Sequence, residues 1–109
     1  MKLTAEEEKV VGEFKKQVFE TYPGEIEKII LYGSKARGDA THESDIDLIV
    51  VTRDEDWRKA DAIRSIGYSL DDGIGNKLSI QALSLKHMNY LNKNRFHFSE
   101  NIRREGVTL

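Results

Sequence analysis

Two short stretches decide how this chain of 109 residues folds: LYGSKARG at positions 31–38 and SDIDL at positions 44–48. The first ends an apolar run at a glycine, and the second begins another apolar run with two aspartates. A strand that stops at Gly33 would be followed by Ser34 at the start of a helical turn, where free backbone amides point outward. This arrangement predicts a phosphate-binding turn, and Arg37 supplies a forked cation on the same face of the turn.

The paired aspartates predict a metal site. Asp45 and Asp47 are two residues apart at the start of a strand, so both carboxylates leave from one face, roughly 6–7 Å apart. Two such charges repel by about 2–3 kcal/mol at an effective dielectric of about 20. Magnesium prefers hard oxygen ligands and would offset this repulsion. Ile46 and Leu48 are expected to anchor the opposite face of the strand in the core.

The rest of the chain predicts alternating helices and strands. Thr4 to Glu7 is typical of a capping box, and apolar residues at helical spacing extend a helix from about Ala5 to Thr21. Further periodicity predicts strands at 25–33, 45–52 and 77–83, and helices at 57–70, 84–91 and 99–104, with Trp57 in the core. The order predicts an α/β (α+β) fold, a small mixed sheet backed by helices, in a single domain over 1–109.

Composition narrows the class of protein. Hydrophobic residues make up 39% and charged residues 33% of the sequence, which is typical of a globular domain. The chain has no cysteine, which excludes disulfides and thiolate metal sites, and no apolar run approaches membrane-spanning length. A formal net charge of −2 argues against nucleic acid as a partner. These features favour a cytoplasmic protein without membrane association.

Taken in order, Gly-Ser-x-Ala-Arg-Gly and Ser-Asp-x-Asp-Leu resemble the signature of the DNA polymerase beta-like nucleotidyltransferase superfamily. The short length is similar to that of its minimal, antitoxin-type branch. The resemblance implies a Mg²⁺-dependent enzyme that transfers a nucleotidyl group, usually AMP from ATP, onto an acceptor. It also implies a partner protein of the HEPN type, the two working as antitoxin and toxin. Because so small a domain cannot enclose both nucleotide and acceptor, a partner chain or self-association is expected to complete the cleft.

The same resemblance implies roles for individual residues. The matching positions are Gly33, Ser34, Ala36, Arg37, Gly38, Ser44, Asp45, Asp47 and Leu48. By this resemblance the nucleotide is bound by Gly33, Ser34, Arg37 and Ser44. Asp45 and Asp47 would be catalytic and would hold the metal.

One position departs from the superfamily pattern. A third carboxylate usually lies on the next core strand, whereas the predicted third strand here carries Ser79 and Gln81. Three explanations stay open: an enzyme that works with two carboxylates, a site completed by a partner, or a domain that binds nucleotide without turning it over. The alternative function is therefore an antitoxin-like binding subunit that acts by contact.

Several other polar residues have an ordinary structural interpretation. Asp71 and Asp72 are predicted in a turn, and His42 in an exposed loop. The basic residues near the C-terminal end predict a solvated helix face, with an interface to an acidic partner as the sharper alternative; they are Lys93, Arg95, Arg103 and Arg104.

Overall fold

The structure, a computed structural model, describes residues 3–41, 44–74 and 77–109, and of residues 72 and 73 only the backbone. The predictions for His42 and for the Asp72 side chain lie outside the described residues. The helices are α1 (Ala5–Thr21), α2 (Ser34–Arg37), α3 (Trp57–Leu70), a 3₁₀ turn (Asp71–Ile74), α4 (Leu85–Lys93) and α5 (His97–Glu105). The strands are β1 (Ile26–Tyr32), β2 (Ile46–Thr52), β3 (Leu78–Ser84) and β4 (Val107–Thr108).

The strands form a four-stranded mixed sheet in the order β3-β2-β1-β4. Strand β1 runs antiparallel to both β2 and β4, whereas β2 and β3 are parallel. The parallel pair needs a long crossover, which α3 provides. The predicted mixed sheet backed by helices is confirmed.

Helices cover both faces of the sheet. Along β2, Ile46, Leu48 and Val50 pack in a cluster with residues of α1 and α3, whereas Ile49 and Val51 pack with residues of α4 and α5. All five side chains are fully buried, as expected for an inner strand covered on both sides. By strand alternation, Asp47 lies on the α4–α5 face, where the covering helices leave it half-buried.

Helix bounds follow the sequence prediction closely. Thr4 and Glu7 form the predicted capping box: Thr4 Oγ1 accepts from the Glu7 amide at 3.1 Å, and Glu7 Oε1 accepts from the Thr4 amide at 2.9 Å. Ser84 caps α4 by accepting from the His87 amide. Among the described helices, none is both long and apolar enough to cross a membrane.

Two expectations need correction. Trp57 is not a core residue, because it is the first residue of α3 and its side chain is 70% exposed, with the Arg58 guanidinium over the ring. The sheet has four strands instead of the three predicted, since Val107 pairs with Leu31 and Thr108 with Ile30 at its edge. A two-residue strand carries no periodicity from which it could be predicted.

A buried ion pair joins α1 to the glycine turn. Lys35 Nζ donates to both carboxylate oxygens of Glu7, each at 3.1 Å, and to the Thr41 carbonyl at 3.2 Å. Both charged residues are only 2% exposed. Burial alone would raise the pKa of Glu7, but the Thr4 amide and the Lys35 ammonium outweigh it and lower that pKa. The pair therefore stabilises the fold at neutral pH, and this contribution is lost as the pH falls through the lowered pKa.

We predict that Lys35→Met destabilises the fold by about 3–5 kcal/mol, because the buried Glu7 carboxylate loses both hydrogen bonds from the ammonium and keeps, among the described residues, only Lys77, at 3.9 Å, as a nearby cation. Urea unfolding followed by circular dichroism measures the loss. Lys16→Met, on the exposed face of α1, is the matched control and should change the unfolding midpoint little. Equal stability of the two variants would show that the buried pair contributes no net free energy.

Candidate nucleotide and metal site

The turn that is predicted to bind phosphate follows the end of β1. Gly33 has φ +76°, a left-handed conformation that disfavours any side chain. Its carbonyl accepts from the amides of Ala36 and Arg37, which starts the single turn of α2, and Gly38 at φ +88° ends that turn. Because α2 has only four residues, an anion here would be held by local amides rather than by a long helix dipole.

The two halves of the motif meet at a close contact between Gly33 and Asp47. Tyr32 and Asp47 are paired in the β1–β2 register, which brings the Asp47 carboxylate against the Gly33 backbone. A Cβ placed on Gly33 would overlap Asp47 Oδ2. The glycine is thus required twice, by its positive φ and by the carboxylate beside it. A phosphate seated on this turn would lie next to Asp47.

The electrostatics of the aspartate pair suit a divalent cation. Burial raises the pKa of the Asp47 carboxyl, the nearby charge of Asp45 adds to the rise, and Arg37 opposes it. Asp45 is exposed just before β2, and Asp47 is half-buried at its second position. The negative charge of the two neighbouring carboxylates is only partly compensated, and their hard oxygen atoms form a donor set that fits Mg²⁺.

Two of the residues predicted to contact the nucleotide, Arg37 and Ser44, are held by polar contacts, one of which comes from far away in the sequence. Arg37 Nε donates to Asp39 Oδ2 and its Nη1 to Glu105 Oε2, both at 3.2 Å, so that helix α5 helps to orient the guanidinium. Both contacts raise the pKa of Arg37. Ser44 Oγ accepts from the Thr41 amide at 3.0 Å and lies 3.3 Å from the Thr41 hydroxyl, so it closes the loop before Asp45. Sequence reasoning misses Glu105, since nothing local in the sequence marks it as part of the site.

The position of the missing carboxylate is visible in the β2–β3 register. Asp47 pairs with Ser79, and Ile49 pairs with Gln81. Neither partner is an acid, and the part of the chain that the structure describes holds no group of three or more acidic, histidine or cysteine side chains that could hold a metal ion. Asp71 serves the backbone instead: its carboxylate accepts from the amides of Lys77 and Leu78 at 2.8 and 2.9 Å. The structural interpretation of Asp71 is thereby supported.

Tyr32 lies beside the motif on the face that carries Asp47. Its ring meets Phe98 of α5 edge to face, with centroids 5.9 Å apart. Gln81 Nε2 donates to the phenol oxygen at 3.3 Å. Burial raises the pKa of the Tyr32 phenol, and the charge of Asp47 adds to the rise, so that the hydroxyl stays protonated at neutral pH.

We predict that Gly33→Ala weakens magnesium-dependent ATP binding, measured by calorimetric titration, at least about tenfold, because a misplacement of about 1 Å in such a site can cost more than that. Gly24→Ala is the matched control: Gly24 also has φ +76°, but a Cβ at that position would meet nothing within 4 Å. Gly24→Ala should lose about 1–2 kcal/mol of stability through backbone strain alone, and Gly33→Ala should lose more, because its Cβ also meets Asp47 Oδ2. Equal ATP binding by the two would exclude the Asp47 contact as a functional constraint.

We further predict that Asp47→Asn stabilises the metal-free chain at pH 7. A carboxyl whose pKa is raised in the folded state favours its neutral form, so its charge destabilises the fold at any pH above that raised pKa. The gain in melting temperature should shrink as the pH is lowered and vanish below the ordinary aspartate pKa of about 3.9.

Thermal unfolding measured from about pH 3 to about pH 8, in steps of about one pH unit, tests this dependence. Asp61→Asn, at an exposed position of α3, is the control and should not reproduce it. A melting temperature that falls at pH 7 in Asp47→Asn would contradict the prediction.

Comparisons with known proteins bear on the family and the fold. The family model for Polymerase beta, Nucleotidyltransferase matches residues 13–109. Two proteins of Methanocaldococcus jannaschii, both provisionally named protein adenylyltransferases, match over 45 residues each at 56% and 36% identity. Each match covers 41% of this chain and 45% or 46% of the relative, so less than half the length of these relatives is represented.

Solved structures share the fold at low sequence identity. A provisionally named nucleotidyltransferase from Sulfolobus solfataricus superposes with a TM-score of 0.57 and 20% identity, over 92% of this chain and 76% of that one. A chain from a mutant of the toxin–antitoxin complex MntA–HpeT superposes with a TM-score of 0.50 and 20% identity, over 90% and 70% respectively. At this identity the superpositions establish the fold. The family model matches most of the chain, and this protein therefore belongs to the Polymerase beta nucleotidyltransferase family.

Proposed function

We propose that this domain transfers AMP from ATP onto a hydroxyl group of an acceptor protein, with Mg²⁺ held by Asp45 and Asp47. The contact between Asp47 and Gly33 supports the proposal best, because the carboxylate proposed to hold the metal lies beside the turn proposed to seat the triphosphate. The relatives named protein adenylyltransferases support both the transferred group and the class of acceptor.

The chain's own residues divide the work of positioning and charge compensation. The backbone at Gly33 and Ser34 seats the triphosphate, and Arg37, oriented by Asp39 and Glu105, compensates its charge. Magnesium bound by the two aspartates would neutralise charge on the phosphate oxygens and on the departing pyrophosphate. The acceptor oxygen attacks the α-phosphate in line, and its bond to phosphorus replaces the bond to pyrophosphate. Rate enhancement would come from orientation and electrostatics rather than from a covalent enzyme intermediate.

A partner protein of the HEPN type, as the resemblance implies, is proposed as the acceptor and as the toxin of a pair. A structural neighbour that belongs to a toxin–antitoxin complex supports a protein partner of this kind. The aspartates lie at the start of β2, where an acceptor hydroxyl on another chain would have access: Asp45 is exposed and Asp47 half-buried.

A second candidate function is a binding subunit that acts by contact without turnover. The pairing of Asp47 with Ser79 favours it, because the position beside the metal-binding aspartate provides no third carboxylate to accept the proton of an acceptor hydroxyl. In that case nucleotide binding would remain, and transfer would be absent.

We predict that the wild-type chain binds ATP only with Mg²⁺ and that the double variant Asp45→Ala, Asp47→Ala loses this binding. The loss follows because the variant removes both anionic ligands of the cation that bridges protein and triphosphate. Calorimetric titration of ATP with Mg²⁺, and again with EDTA, measures both effects.

The double variant Asp56→Ala, Asp61→Ala is the charge-matched control, since it also removes two carboxylates. Asp56 caps α3, and Asp61 lies within that helix. It should bind ATP as the wild type does. Equal binding by wild type and by the Asp45, Asp47 variant would reject the proposed site. Binding without transfer to a co-expressed HEPN-type protein would favour the second candidate.

A further inference from the structure

We propose that Tyr32 is a self-modification site, whose phenol accepts the nucleotidyl group from ATP bound in the same chain. The inference rests on the proposed function, since it needs ATP at the glycine turn. It assigns that site an acceptor within the chain, in addition to an acceptor on another protein.

The register of the sheet places Tyr32 at the reacting end of the site. Tyr32 is the last residue of β1, directly before Gly33, and is paired with Asp47 across the strands. Residues paired in an antiparallel ladder project from the same face, so the phenol and the Asp47 carboxylate share the α4–α5 face. The edge-to-face contact with Phe98 fixes the ring on this face.

The hydrogen bond from Gln81 locates the hydroxyl. Gln81 belongs to β3, on the opposite side of β2 from β1, so the phenol of Tyr32 lies over β2 on the face that carries Asp47. A nucleophile attacks from about 3–3.5 Å, and a phosphoryl group bound at Asp47 would lie on the same face of the sheet as the phenol. Gln81 is exposed, so the hydroxyl also lies at an accessible edge.

The side chains of β3 favour the phenol of Tyr32 as an acceptor. Ser79, the neighbour of Asp47, is short and uncharged, so no anion on β3 repels the α-phosphate from the space in front of Tyr32. Gln81 donates to the phenol oxygen and thereby leaves the hydroxyl proton directed elsewhere. The other described tyrosines lie away from the motif, on α1's cap, α3 and α4: Tyr22, Tyr68 and Tyr90.

The chemical step balances without a further reactant. The Tyr32 oxygen forms a bond to the α-phosphorus of ATP, and the bond between that phosphorus and the oxygen bridging to the β-phosphate breaks. The electron pair leaves with pyrophosphate, and the phenol proton passes to water at the exposed edge of β3. The product is a phosphodiester between Tyr32 and AMP. Because each chain carries one Tyr32, the reaction ends after one AMP per chain.

The test incubates the full chain with ATP and Mg²⁺ and measures intact mass and the mass of the peptide that contains Tyr32. The wild type should gain one AMP, located on Tyr32. Tyr32→Phe keeps the ring against Phe98 and should gain none. Tyr68→Phe, a change of the same kind at an exposed position of α3, is the control and should be modified as the wild type is.

A mixing experiment tests whether the transfer is intramolecular. Asp47→Asn chains, which keep Tyr32 but lack a metal-binding carboxylate, are incubated with Tyr32→Phe chains, which keep the site. Neither chain should be modified. AMP on the Asp47→Asn chain would overturn transfer within one chain.

Parallel titration separates this inference from the function on which it rests. If the wild type binds ATP with Mg²⁺ but gains no AMP, or gains it at another residue such as Ser79, self-modification of Tyr32 is rejected and the nucleotide site stands. If the wild type binds no ATP at all, the proposed function is rejected and this inference falls with it.

Discussion

The buried ammonium of Lys35 connects the parts of the chain on which the glycine turn depends. It bonds to Glu7, 28 residues earlier in the chain, and to the Thr41 carbonyl in the loop that leads to the aspartates. A charge removed from water is tolerated only with fixed partners, so the start of α1, the turn of α2 and Thr41 are held in one arrangement. Glu7 also caps α1 through Thr4, which makes the first turn of that helix part of the same network. Lys35 thus stabilises the fold from the interior, whereas the guanidinium of Arg37 faces solvent.

The site itself combines features that local structure disfavours. Gly33 adopts a left-handed conformation, Asp45 and Asp47 repel each other, and burial penalises the charge on Asp47. The burial of apolar side chains on β2 offsets these unfavourable free energies, because its core side chains are fully buried on both faces of the sheet. Because β2 is anchored on both sides, Asp47 cannot move away from Asp45 without disturbing the core. In the proposed function, the repulsion that remains would be relieved by the bound cation.

Sequence alone predicts the parts of this molecule that depend on local pattern. Helical spacing and caps predict α1 and α3 to within a residue, and the motif identifies the turn and the aspartates. Contacts that depend on pairing over long distances are not predictable in this way. Glu105 reaches Arg37 from 68 residues away, and the contact between Gly33 and Asp47 depends on the register of β1 against β2. The prediction for Trp57 is wrong because periodicity does not distinguish the open first turn of a helix from its buried face.

The pairing of Asp47 with Ser79 has a consequence for how such domains diverge. The two residues are neighbours on one face of a parallel ladder, so a carboxylate at position 79 would stand beside Asp47 without any change of backbone. Ser79 is only partly buried, and its neighbours Leu78 and Ile80 pack in the core on the other face. Gain or loss of a third acid is therefore a one-residue event that leaves the core and the nucleotide turn intact. If the proposed function holds, a substitution at this one position could separate turnover from simple binding without refolding the domain.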